Sequence, residues 1–140
     1  MLKLKVISIG KTKESWLEEG LSEYTKRLKP QMNIEWIWAK DNHQLTEFVN
    51  KESLVICLDP AGELYTSEQF ASFFDQRWQQ GGSRLAIVIG GADGLPSELK
   101  NKHPLISLSR LTFTHQMTRL VLIEQLYRAL EIKKGSQYHK

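Results

Sequence analysis

Leu85-Ala86-Ile87-Val88-Ile89-Gly90-Gly91-Ala92-Asp93-Gly94 decides the fold class. Five apolar residues in a row, without polar alternation, are the pattern of a strand covered on both faces, as in a parallel sheet. Glycines follow at once. At the carboxyl end of a buried strand they let the backbone turn sharply and approach a ligand closely, and open α/β sheets bind ligands at that edge. Leu54 to Leu58 is a second continuous apolar run, ending in Asp59-Pro60-Ala61-Gly62, which reads as a turn. Glycines also serve plain turns, so neither segment specifies chemistry alone.

Around these two runs, apolar strands alternate with amphipathic segments. Leu2 to Ile9 reads as a strand, and Leu17, Leu21, Tyr24 and Leu28 then fall on one helical stripe that stops before Pro30. Ile34, Trp36 and Trp38 alternate as in a strand, and a short helix is expected over 44–50. Thr66 and Gln69 match a capping box, followed by the stripe Phe70, Phe73, Phe74 and Trp78 and the stop Gly81-Gly82. A short helix over 96–102 leads to a brief strand over 105–108. The last helix, 115–133, is apolar on more than one face, so it is expected to be buried on two sides, one against the sheet and one against a second copy of the chain. The expectation is a single α/β domain over 1–140, with a mainly parallel sheet and helices on both faces.

At 140 residues and 16.2 kDa the chain can bury a real core without staples. Its one cysteine, Cys57, excludes an internal disulfide and reads as a buried small hydrophobe. The opening MLKLKVISIG is too short and too interrupted by lysine for a signal peptide, and no stretch approaches a membrane span, so the expected location is cytoplasmic. Gly10-Lys11-Thr12 is not a P-loop, because Lys5 stands where the motif needs glycine. His43, His103, His115 and His139 have no metal-ligand spacing, and no nucleophile elbow occurs, so no metal is expected.

Charge is uneven. Residues 1–51 carry nine basic and seven acidic groups, 52–98 carry two and seven, and 99–140 carry eight and two, giving +2, −5 and +6. A basic final third suits a phosphate backbone, although a solvated basic face reads the same. Candidate phosphate contacts are Arg110, Arg119, Lys133, Lys134 and Lys140, whereas Arg128 is better read as the i,i+4 partner of Glu124. Three strand-end segments, at 58–62, 90–94 and 108–113, could surround one flat heterocycle. A non-catalytic ribosome-associated RNA-binding protein, or an α/β domain for another nucleotide, remains compatible with these residues.

Four segments carry a more specific likeness: VICLDPAGE (55–63), IVIGGADGL (87–95), SLSRLTFTHQMTR (107–119) and LIEQLYRALEIKKGSQYHK (122–140). With the opening strand, this ordered set resembles the ribosomal RNA large subunit methyltransferase H family of the SPOUT superfamily. The resemblance implies a C-terminal trefoil knot holding S-adenosylmethionine, with cofactor contacts at Leu58, Gly90, Leu108, Ser109, Arg110, Leu111, Thr112 and Phe113. It implies methylation at N3 of a pseudouridine in 23S rRNA, on the assembled ribosome, by a homodimer. It also sets the tail beside the active site at the dimer interface, which adds Tyr138 and His139 to the expected RNA contacts. The imide nitrogen must lose a proton. His115 and His139 suit that task by residue type, while Asp93 or solvent could also take it. Ala92-Asp93 and Thr114 depart from the proline-glutamate and proline common there in the family, and the region after Trp38 is shorter than usual.

Overall fold

A computed structural model describes all residues, 1–140. The elements in chain order are β1 (Leu2–Ile9), α1 (Ser15–Leu28), β2 (Met32–Ala39), α2 (Asn42–Val49), β3 (Val55–Leu64), α3 (Ser67–Gln80), β4 (Arg84–Ile89), α4 (Ser97–Lys102), β5 (Leu105–Ser107) and α5 (His115–Lys134). The five strands form one sheet in the order β2-β1-β4-β3-β5, and every neighbouring pair is parallel. The run from Leu85 to Ile89 therefore lies at the sheet's centre, where side chains on both faces must be apolar.

Alternate residues of the central strands feed two cores. Leu4, Val6, Ile56, Leu85 and Ile87 pack with apolar residues of α1, α3 and α5. Ile7, Val55, Cys57, Ala86 and Val88 pack with Leu45, Val49 and Leu99 of α2 and α4. Helices thus cover both faces, as the alternation of elements required. Fully burying a side chain such as Phe74, inaccessible in the first core, stabilises the fold by about 1.5–3 kcal/mol relative to leaving it in water. Cys57 is fully buried, and burial, with help from the Asp59 carboxylate, pushes its thiol up to about 12. It is inert packing.

The capping box of α3 forms on both sides: the Thr66 hydroxyl accepts from the Gln69 amide at 3.1 Å, and the Gln69 side chain accepts from the Thr66 amide at 2.9 Å. Asp41 caps α2 through the Gln44 amide, so that helix begins two residues before the expected Gln44. A larger correction concerns 59–62. The segment read as a turn continues β3, which bulges after Leu58 and pairs again with β5 at Glu63 and Leu64. A Cβ on Gly62 would stand 2.6 Å from the Ile106 carbonyl carbon, so only glycine allows β3 to pass this close to β5. Hydrophobic periodicity carries no signal for an extended but bulged backbone.

Candidate active site

β4 and β5 end at one rim beside the point where β3 bulges after Leu58, and a cavity of about 510 Å³ opens there. Its volume falls within the roughly 300–1,000 Å³ usual for small-molecule sites. Leu58, Gly90, Leu108, Ser109, Leu111, Thr112 and Phe113 all line it. These positions are far apart in sequence, and the parallel topology brings them together. Arg110 sits on the same loop but is exposed and outside the lining.

Each wall has a local cause. The β4–α4 turn closes through the Gly94 amide, which donates to the Gly91 carbonyl at 3.0 Å. A Cβ on Gly90 would lie 3.0 Å from the Gly94 carbonyl carbon and 3.1 Å from the Leu95 nitrogen, so a side chain there would spread the turn. On β3, Asp59 accepts from the Ala61 amide at 2.9 Å and pairs with Lys100 of α4 at 3.3 Å, fixing the bulge at the rim. After β5, the Ser107 hydroxyl donates to the Ser109 carbonyl at 2.8 Å and the Leu111 amide donates to the Ser109 hydroxyl at 2.9 Å. The amides of Leu108, Ser109, Arg110, Thr112 and Phe113 donate to no acceptor within the chain. Free backbone donors beside Leu58, Ile89, Leu95, Leu108 and Phe113 suit a flat heterocycle with polar edges and apolar faces. S-Adenosylmethionine, with its flat adenine ring and largely aliphatic sulfonium chain, fits that set.

Thr114 caps α5 by accepting from the Met117 amide at 3.1 Å, and the first turn of the helix lends His115 and Thr118 to the cavity wall. Burial first, then the charge of Arg119, holds the His115 imidazole below its ordinary value, with Glu14 acting in the opposite sense. At neutral pH His115 is therefore uncharged and able to accept a proton. Asp93 does not line the cavity.

His139, the other imidazole singled out, is elsewhere. Its Nδ1 faces Arg128 Nη1 at 3.1 Å and its Nε2 meets Glu68 at the start of α3. A guanidinium can only donate, so Nδ1 accepts and the proton sits on Nε2, toward the carboxylate. Tyr138 crosses Tyr127 edge to face at 4.8 Å, and its hydroxyl donates to Glu124 at 2.8 Å. Burial and that carboxylate raise the Tyr138 phenol well above its usual range. The tail thus folds onto α5 and α3 of its own protomer, away from its own cavity.

The basic residues also divide. Arg119 is corrected as a phosphate contact: it has 0% exposure and cannot meet a nucleic acid. Lys133 pairs with Asp75 at 2.6 Å and Lys134 with Glu131 at 3.2 Å, while Arg110 and Lys140 are exposed without an ion-pair partner. Arg128 pairs with Glu124 at 3.1 Å, as the i,i+4 spacing indicated. Sequence reasoning missed Ser107 and Thr118, which left no signal, whereas Asp59 lay within the 58–62 segment already nominated for the site.

Comparison with known proteins adds the following. The family model described as "Predicted SPOUT methyltransferase" matches residues 2–139. The chain is 67% identical over 140 residues to the ribosomal RNA large subunit methyltransferase H of Protochlamydia amoebophila, covering 100% of both. It is 39% identical over 159 residues to the protein of the same name from Streptococcus uberis, covering 99% of this chain and 100% of the other. Two solved structures share the fold. One, described as giving structural insights into the 2-OH methylation of C/U34 on tRNA, superposes with TM-score 0.52 at 12% identity, covering 96% of this chain and 98% of that one. The other is a Legionella pneumophila methyltransferase with bound cofactor SAM, at TM-score 0.53 and 13% identity, covering 92% of this chain and 66% of that one.

Proposed function

This chain belongs to the SPOUT methyltransferase family, alongside the ribosomal RNA large subunit methyltransferase H proteins, and on that premise we propose that it methylates N3 of a pseudouridine in 23S rRNA of the assembled ribosome. The observation that carries the reading is the meeting of Leu58, Gly90 and Leu111 around one cavity at the carboxyl rim of the sheet. The cofactor is S-adenosylmethionine, held in the knotted C-terminal region that the family implies. The free amides of Leu108, Ser109, Arg110, Thr112 and Phe113 would hold its polar edges, and Leu58, Leu108 and Phe113 would cover its faces.

When bound, that cofactor would supply an electrophilic methyl carbon on a sulfonium, and the C–S bond broken in the transfer would leave it as the neutral thioether. The remaining steps fall to the protein. The cavity walls hold the base beside the methyl group, and such placement alone is worth many kcal/mol, about 7–11 in favourable cases. His115 takes the imide proton as N3 attacks, because it lines the cavity and is uncharged at neutral pH. The imidazolium then returns that proton to solvent.

The working form is a homodimer in the bacterial cytoplasm, where its ribosomal substrate resides. Leu111, Trp16 and Met117 remain 72%, 55% and 37% exposed in the single chain, leaving apolar surface for a second copy to cover. Within the dimer the tail residues Tyr138, His139 and Lys140 face the partner's substrate. Arg110 is the loop's free cation for RNA phosphate.

The decisive experiment transfers labelled methyl to whole ribosomes, isolated large subunits and naked 23S rRNA, then maps the product. Label at N3 of one pseudouridine, with ribosomes as the best acceptor, is the expected result. Label in tRNA alone, or no transfer to any of the three, refutes the reading.

A further inference from the structure

Arg119 is the least expected group in the molecule. Its guanidinium is wholly buried, yet no carboxylate bonds to it. An isolated charge out of water is costly, and proteins usually avoid it unless it is paired. Here the charge is spread over neutral acceptors. Nε and Nη2 donate to the Ser8 hydroxyl at 3.1 and 3.0 Å, and Nη2 donates to the carbonyls of Ile9 at 2.7 Å and Gly10 at 3.1 Å. Nη1 donates to the Thr12 hydroxyl at 3.2 Å and to the Gln116 side chain at 3.0 Å. The Trp38 ring lies 4.8 Å from the guanidinium carbon. Burial pulls Arg119 down to about 10, so it stays cationic at neutral pH.

A hydrophobic side chain of similar volume would fill this space without the desolvation cost. What it could not supply is a positive charge anchored to β1, one helical turn from His115. The Gln116 side chain adds to the same anchor, donating to the Lys11 carbonyl at 3.3 Å. The first turn of α5 is thus tied to the end of β1 on one side while it presents His115 and Thr118 to the cavity on the other.

We propose that Arg119 is a positioning residue of the methyl-transfer site, whose buried cation locks the first turn of α5 onto β1 and sets a positive charge one helical turn from His115, the proton acceptor at the cavity wall. The proposal rests on the reading of His115 as the base and extends it. The charged groups facing His115 are Arg119 on its own helix and Glu14 at the start of α1, and they act in opposite directions. Removing Arg119 takes away one of the two effects that lower the His115 value and leaves burial alone to oppose Glu14. Lysine at 119 keeps the charge but loses the fan of donors.

The test titrates the His115 ring proton by NMR in the full-length protein and in Arg119→Met and Arg119→Lys. The native His115 is expected to titrate below about 6.5, the ordinary value for histidine, with Arg119→Met shifted upward from the native protein and Arg119→Lys near it. Methyl transfer is then followed against pH. With the base shifted upward, Arg119→Met keeps a smaller fraction of its limiting rate at pH 6 than the native protein does, and the limiting rate is regained at higher pH. A His115 titration identical in the native protein and Arg119→Met overturns the proposal. If Arg119→Met does not fold, a native His115 that titrates above its ordinary value overturns it equally. Failure of the underlying reading looks different: His115→Gln then transfers methyl at the native rate at every pH, whatever Arg119 does to the titration.

Discussion

Arg119 and Arg128 stand on the same helix, and the surroundings of the first invert what its sequence suggests while those of the second bear it out. Arg119, in a basic stretch with no acidic residue one turn away, reads as a free cation for phosphate. It is instead sealed beneath the cavity wall among hydroxyls and carbonyls. Arg128 is half-buried between Glu124, His139 and the face of Tyr138, whose ring centre lies 4.8 Å away. One end of α5 supports the cavity wall with a cation that has no anion. The other builds a tail clamp from conventional pairing. Burial, more than residue type, decides what each arginine does.

That contrast can be broken most forcefully in the stability of the fold. Arg119→Met strands the Ser8 hydroxyl and the Ile9 and Gly10 carbonyls, and unfolding in urea is expected to show a loss of about 2–4 kcal/mol. Equal losses from Arg119→Met and Arg128→Met would erase the distinction. At the cavity end, Gly90→Val forces a branched side chain against the Gly94 carbonyl carbon 3.0 Å from the Cβ position. Calorimetry is expected to show S-adenosylmethionine binding weakened by about a hundredfold, or roughly 2.7 kcal/mol.

The tail end should fail in the opposite way. Deleting Tyr138 to Lys140 is expected to lower methyl transfer to ribosomes by about a hundredfold, the scale of a misplaced reactant, while cofactor affinity is unchanged. Loss of both together would show that the two ends of α5 are not separate devices. The smaller change is Arg128→Met, expected to cost about 1 kcal/mol in the same urea measurement, since its ion pair is still reached by solvent.

Acid probes the clamp most gently. The bond from His139 holds the Glu68 carboxyl below its ordinary value. A carboxyl depressed in the folded state stabilises the docked tail fully above its ordinary value and loses that contribution as pH falls through the depressed one. The Tyr138 ring resonances, followed by NMR, should therefore move toward those of a free tail only at strongly acid pH. A tail that leaves near neutral pH contradicts this arrangement.

Most of the architecture was legible before any coordinates. Continuous apolar runs at 54–58 and 85–89 marked strands covered on both faces, and the caps at Thr66 and Gly81 gave α3 its limits. The segments 58–62, 90–94 and 108–113 could be nominated for one site because glycines and hydroxyl residues follow buried strands, and the family resemblance singled out Leu58, Gly90 and Leu111 within them. What stayed hidden was the bulge that carries β3 past Gly62, because pairing across a bulge leaves no periodic trace. Also hidden was the place of His139, which depends on where the tail docks.

The order of apolar and polar residues fixes which segments are strands, which are helices and which ends carry glycine, because these follow from interactions between near neighbours. Whether a charged side chain meets water, a carboxylate or a ring of carbonyls depends on elements distant in the chain. For Arg119 the deciding neighbours, Ser8 to Thr12 and Trp38, come from β1, the loop after it and β2. Only packing the sheet against α5 brings them within reach, so only the tertiary structure could assign that residue its work.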